Sequence, residues 1–546
     1  MRRLFPILGL CLLLAAGCGD GAQPGAEIEA PAGLGQERAN ALLTSLRARQ
    51  SRVVALCDLA SKAAPAFPKL AREYISQALA TAVSLAGPQT RDMVEQARRE
   101  AARQGSGHGA AEIRQMDQLS RSAWPLALVA RSALVVDLEL AAKALDLGLE
   151  RARGNPDPVG RDRDLAELAM VMGRSQAVRA RDVAASIKND HVRTRAWRGL
   201  AELTRQPQDL AQAALADQQI TDPGAGALSL ARTAAQAYDW SPAEGLRLFK
   251  QAFALAGKVA SSKRRALLQA EVAAALARLD PKAGFDLAKR VEPGQGVRFK
   301  PLHVVAQALL ASDPGLGRQV MDAAIREAQK LPLSYERHRA LAALAADLAL
   351  TDRLSAQALL AQLPASEYLL RAEAEAAMVL AQAAKDVNRA AKEARGIGDN
   401  YVRLGVLARL ADIAMPTDPA MGRALYRRVL GQAARMGTLL PGRALIRAWA
   451  ALDAETAIRL AGEVSQPVAR AQTLVILAKF LYERDNKAGA KWCLQLALET
   501  IKKIKMQETL DKVRLLGDMG REWSVIEPGQ ASRYFALGAE AAKDLG

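Results

Sequence analysis

One short motif recurs in this chain and limits what it can become. "LDPKAGFDLAKRV" starts at Leu279, "SDPGLGRQVM" at Ser312 and "TDPAMGRALY" at Thr417. An Asp carboxylate accepts an orphan backbone N–H at a helix start, and Pro is tolerated next because no N–H is needed there. Each Asp-Pro therefore opens a helix. Ser241, followed by Pro-Ala-Glu, has the form of a capping box. From these anchors, helix caps are assigned to Asp209, Ser241, Asp280, Asp313, Asp352, Asp386, Asp418, Asp453 and Asp485. Glu527-Pro528 is a poorer cap at the end. The caps follow one another at 32 to 42 residues, the degenerate period of a helical repeat array.

Two further registers accompany the caps. Four residues after each stands a small residue: Ala213, Gly245, Gly284, Gly317, Ala356, Ala390, Gly422, Ala457, Gly489 and Ala531. Gly inside a helix costs up to about 1 kcal/mol against Ala, so its recurrence predicts a tight helix crossing. Lys330, by contrast, reads as an exposed position where substitution is neutral. Fifteen residues before five of the caps stands an arginine: Arg265, Arg298, Arg371, Arg403 and Arg470. Each falls just after one helix ends and at the start of the next. It is placed to bond the last carbonyls of the preceding helix while its stem packs between repeats.

Composition agrees with helix. Half of the 546 residues are hydrophobic but only 4% are aromatic, which leaves little of the β-branched and aromatic text that strands favour. A unit is then helix A, a short turn, a capped helix B and a turn to the next unit. This pattern resembles tetratricopeptide-like repeats, in which a small residue, a large one and Ala recur along helix B. Gly245, Phe249 and Ala252 fit, as do Gly317, Met321 and Ala324. The family's helix-A Trp, Gly and Tyr positions are mostly absent, so HEAT-like repeats stay open as the subfamily. The expected fold is all-α, a right-handed α–α superhelix (solenoid) of roughly ten or more helix pairs. The array is expected over residues 156–546, as one elongated, curved rod with helix A on the concave face. Residues 38–155 read as helical but without a clear register.

The N-terminus gives an address. Arg2 and Arg3 precede an apolar run from Leu4 to Ala16, too short to span a bilayer. It ends Ala15-Ala16-Gly17-Cys18, which resembles the lipobox of bacterial lipoproteins. The resemblance implies a signal peptide over 1–17, acylation of Cys18, and an anchor in the outer membrane facing the periplasm. Residues 18–37 read as the lipidated cysteine and a flexible tether rich in Gly, Pro and Ala. Such a tether spans about 23 Å on average and roughly 60 Å at full stretch. Cys57 and Cys493 read as buried free thiols near opposite ends of the array.

The chain carries no His-Glu-x-x-His, Cys-x-x-Cys, P-loop or Gly-x-Ser-x-Gly text. His108, His191, His303 and His338 are scattered. "GSGHG" at 105–109 reads as a turn. No cofactor and no metal is expected. Formal charge is +17, which suits a solvated Arg-rich surface or attraction to anionic lipid and acidic proteins. No basic stripe carries the aromatic platforms that single-stranded nucleic acid needs, so nucleic acid is not an expected partner.

The expected function is a membrane-anchored scaffold that binds envelope proteins, not an enzyme. Its plan resembles repeat-containing lipoproteins that serve assembly of the envelope. The alternatives are a protein that binds peptidoglycan or lipid A, or a non-catalytic relative of superhelical lytic transglycosylases. Those enzymes carry a catalytic Glu followed by Ser, and this chain contains no Glu-Ser pair.

Overall fold

A computed structural model describes residues 34–435 and 454–545, apart from 86, 104–109, 295, 350, 463, 465 and 505–508. The expected signal peptide, Cys18, the tether as far as residue 33, His108 and Asp453 lie outside the described residues; the end of the expected tether, 34–37, belongs to the first helix instead. Every regular element among the described residues is helical, and no described helix is long and apolar enough to cross a membrane.

The chain is an all-α solenoid of helix pairs. In each pair, helix A runs one way and helix B returns. Several A helices open on Asp157, Asn189, Asp222, Ser261 and Asp399, whose side chains accept N–H groups of the first turn.

The B helices carry the caps read from the sequence. Asp280 accepts from Ala283 N, Asp313 from Leu316 N, Asp352 from Ser355 N and Asp386 from Arg389 N, each at 3.0–3.1 Å. Asp418 accepts from Met421 N at 3.0 Å and Ser241 from Glu244 N at 3.5 Å. Two assignments are corrected. Asp209 is not a cap: Gln206 precedes that helix, and Asp209 lies buried inside its first turn. There it accepts from Arg181 Nε at 2.7 Å and Thr204 Oγ1 at 2.6 Å, which ties successive units together. Asp485 is displaced by its neighbour. Asn486 caps the helix through Gly489 N, and Asp485 takes a left-handed φ of 61°. The packing notch moves with it, from Gly489 to the buried Ala490.

The notch itself is a close approach of helix B to the helix A before it. A Cβ on Gly245 would stand 2.5 Å from Tyr238 Cα, and one on Gly317 would stand 2.6 Å from Leu310 N. Gly284 and Gly422 meet Ala277 and Met415 in the same way. Units without Gly place a fully buried Ala there, such as Ala356, Ala390 and Ala531.

Two stretches of residues 38–155 do hold the register. Positions 51–85 and 121–155 bury the same residues one for one, and 511–545 follows the same order through Gly538. Leu56, Leu126 and Leu516 correspond, as do Ala71, Ala141 and Ala531. In the first pair Phe67 stands where a cap belongs and makes no side-chain bond there; in the second, Asp137 caps through Glu139 N and Leu140 N, a cap that the sequence register did not include.

The array is closed, not an open rod. The first helix, Leu34–Ala63, packs on the last pair, Thr509–Ile526 and Pro528–Lys543. Lys62 Nζ lies 3.0 Å from Asp518 Oδ1 and donates to Arg514 O at 3.2 Å. The Phe67 and Phe535 rings meet edge-on at 6.0 Å. Leu59 fills the space over Gly517 and Gly538. Leu56, Leu59, Met519 and Phe535 belong to one continuous core. Burying a side chain the size of Leu59 contributes about 1.5–3 kcal/mol. Cys57 and Cys493 are therefore not at opposite ends: the helix Thr509–Ile526 packs against both of the helices that carry them.

Most described A helices pack on the A helix of the next unit, while B helices of successive units hardly touch one another. In a closed ring the inner circumference is shorter, so the closely packed A layer is the inner wall. From Phe299–Ser312 to Tyr335–Leu348 the step is made by polar groups: His303 and Gln307 both bond Asp347, Gln307 at 2.8 Å.

Candidate functional site

Among the described residues the repeat is interrupted once. Between the first and second regular pairs the chain inserts two helices, Pro88–Arg103 and Ala110–Arg121. They pack on each other and on Leu34–Ala63, which is about twice as long as the other A helices. Arg47 Nη2 donates to Gln115 Oε1 at 2.8 Å within this three-helix lobe.

Where the lobe meets the ring there are two adjoining cavities of about 700 and 550 Å³. Both are lined by Asp117, Arg121, Asn155 and Pro156, so they form one cleft. Its walls alternate in charge. Arg98 pairs with Glu95 at 3.0 Å and reaches Asp117 at 3.4 Å, and Arg121 pairs with Asp117 at 2.7 Å. Arg151 is held instead by carbonyls. It donates to Ala82 O at 3.2 Å, Ser122 O at 3.4 Å and Val83 O at 3.4 Å. Burial, and then the nearby Arg91, lower its pKa to about 10, so it stays cationic at neutral pH.

Buried carboxylates hold the cleft's frame. Asp164 accepts from Ala123 N at 2.8 Å and Ser122 Oγ at 3.1 Å, at the break between Ala110–Arg121 and Trp124–Ala133. Burial raises its pKa above the ordinary carboxylate value. Asp162 accepts from Lys188 N and Asn189 N at 3.1 and 2.7 Å and ties in the following unit. Sequence reasoning missed this cleft. The signal was "GRDRDLAEL" at 160–168, whose two aspartates occupy buried helical positions.

The five inter-repeat arginines share one geometry. Arg265 donates to Val259 O at 3.1 Å, Arg298 to Val291 O at 2.7 Å and Arg371 to Leu363 O at 2.7 Å. Arg403 donates to Ile397 O at 2.8 Å and Arg470 to Val464 O at 2.6 Å. Each acceptor is a buried aliphatic residue just beyond helix B. Arg193, bonded to Ile187 O at 3.2 Å, is a sixth that the sequence register did not include. These arginines close helix ends and lie apart from the cleft. Arg298→Met is expected to cost about 1.5–3 kcal/mol, because a charge-assisted bond to the carbonyl of a buried residue is lost. An unchanged urea midpoint would contradict that role.

Among the described residues no group of three or more His, Cys, Asp or Glu is arranged to hold a metal. His303 is bound to Asp347, and His338 to Glu367 at 3.3 Å. Cys57 and Cys493 are buried, and burial raises each thiol to about 12. Both are then protonated at pH 8, and a disulfide reagent should modify them only as the protein unfolds. Rapid labelling of either thiol in the native state would show that its helix is not packed as described.

No family model matches this chain, and no curated protein is similar to it. A solved structure described as a circular tandem repeat protein with novel repeat topology and enhanced subunit contact surfaces is 15% identical. The match covers 93% of this chain and 97% of that one, with a TM-score of 0.16. The fold assignment rests on the helix order and packing described above.

Proposed function

We propose that this protein is a lipid-anchored helical-repeat scaffold of the bacterial cell envelope, held at the outer membrane and facing the periplasm, where it binds other envelope proteins. It is read as a binding protein and not an enzyme. The observation that supports this is the cleft, which is open and carries paired arginines and carboxylates among its lining residues. Such a wall complements a charged protein surface and offers no enclosed site for chemistry. Cys18, through its lipobox-like setting, supplies the anchor.

The test has two arms. A palmitate analogue should tag the wild type and not Cys18→Ala; a wild type that is never tagged ends the anchoring claim. Arg91→Glu with Arg98→Glu should lose partners that the wild type retains after cross-linking in intact envelopes. Retention of the same partners would remove the cleft from the account.

A further inference from the structure

The two edges of the ring differ. Every described helix A starts at one edge, which consists of the loops leading from B to A. The other edge consists of the A-to-B turns and carries the row of Asp caps. Both edges expose apolar side chains, Leu138, Val178 and Leu354 among them on the edge of the caps, but the exposed tyrosines among the described residues all stand on the first edge, opposite the seam. Leu333 is 84% exposed, Tyr335 54%, Tyr368 65% and Tyr401 62%. These three tyrosines stand in the first turns of consecutive A helices. Tyr368 and Tyr401 border one shallow depression of about 390 Å³.

Basic residues share this arc. Lys258, Lys263 and Arg395 are exposed. Three of the nearby acids are engaged within the fold, while Glu336, beside Tyr335, is exposed. Glu367 bonds His338 at 3.3 Å, Asp399 caps Val402 N at 2.9 Å and Glu292 pairs with Arg265 at 3.1 Å. An edge with exposed cations and protruding tyrosines has the chemistry of a surface that sits at lipid headgroups. Tyr places its ring in the apolar boundary and its hydroxyl in water, and Lys and Arg are drawn to anionic lipid.

Where the chain enters the fold agrees. Leu34–Ala63 starts at this same edge, and its extra length carries its N-terminus roughly 20 Å beyond it. Leu34, the first described residue, therefore lies on the side that carries the tyrosines. We propose that this edge of the ring docks on an anionic membrane surface, with the arc from Lys258 to Tyr401 in contact and the lobe's tip making a second contact across the ring. The entry-point argument is strengthened by the lipid-anchor reading of Cys18; the exposure and charge arguments do not depend on it.

The test uses the polypeptide from Gly19 onward, which keeps every described residue and cannot be acylated at Cys18. It is sedimented with vesicles of phosphatidylglycerol and phosphatidylcholine in equal parts, and with phosphatidylcholine alone. Binding is expected to the anionic vesicles only, and to fall as salt is raised to about 0.5 M. Tyr335→Ser, Tyr368→Ser and Tyr401→Ser together should weaken it about tenfold or more. Leu354→Ser, on the opposite edge, should leave it unchanged. Lys258→Glu with Arg395→Glu gives a second reading should the triple variant lose its helical circular dichroism. Failure of the unsubstituted chain to bind anionic vesicles, or binding untouched by both sets of substitutions, overturns the proposal. Failure of wild-type acylation alone does not.

Discussion

Phe535→Ala is expected to destabilise the protein by about 3–5 kcal/mol, the usual range for truncating a buried Phe. The side chain is fully buried. Its ring meets Phe67 across the seam and fills the space over Gly520, where a Cβ would come within 2.9 Å of it. Gly520, against which the ring lies, has no side chain with which to fill the void. The loss should therefore reach the other side of the seam. Hydrogen exchange should speed up in Leu34–Ala63 as well as in the last two helices. A loss below about 1 kcal/mol, or an unchanged first helix, would show that the seam is not packed.

Gly317→Leu should cost about 3 kcal/mol, at the upper end for overpacking. What it meets is backbone: a Cβ alone would stand 2.6 Å from Leu310 N and 2.8 Å from Leu309 C. The two helices must separate. Gly405 is the internal comparison. It lies inside Asn400–Ala414 with nothing within 4 Å of a Cβ, so Gly405→Ala should stabilise by about 0.5–1 kcal/mol. Opposite signs in urea midpoints identify the notch; equal signs would mean the register is accidental. Lys330 does not serve as a neutral reference. Its ammonium lies 2.6 Å from Glu327 Oε1, and Glu327 is buried with its other oxygen unpartnered. Lys330→Leu leaves that carboxylate without its cation.

What could be read from the sequence was local. A cap needs only a short polar side chain such as Asp and a backbone N–H two or three residues on, so Asp280, Asp313 and Asp418 declared themselves. An arginine that bonds the carbonyl six to eight residues behind it is likewise a short-range device, and spacing revealed it. Asp485 misled because Asn486 beside it can also cap, and the choice turns on a left-handed residue that the sequence does not mark. Asp209 misled because an Asp near a helix start can pair with a neighbouring unit instead of its own backbone. Closure was beyond reach for a different reason. It depends on a small rotation repeated at each unit, and no single residue specifies that rotation. The cleft was hidden with it, since it exists only where an irregular lobe meets a regular wall.

The central claim is that the first and last units touch within one chain. A zero-length carbodiimide reagent joins an amine to a carboxylate only when the two are already paired. Lys62 and Asp518 are paired at 3.0 Å, and Lys491 and Glu527, also at 3.0 Å, give a link that does not depend on closure. Peptide mass spectrometry of dilute protein, mixed with an isotopically heavy copy, should find both links, each within a single chain. A Lys491–Glu527 link without Lys62–Asp518, or a Lys62–Asp518 link only between light and heavy chains, would contradict the closed ring.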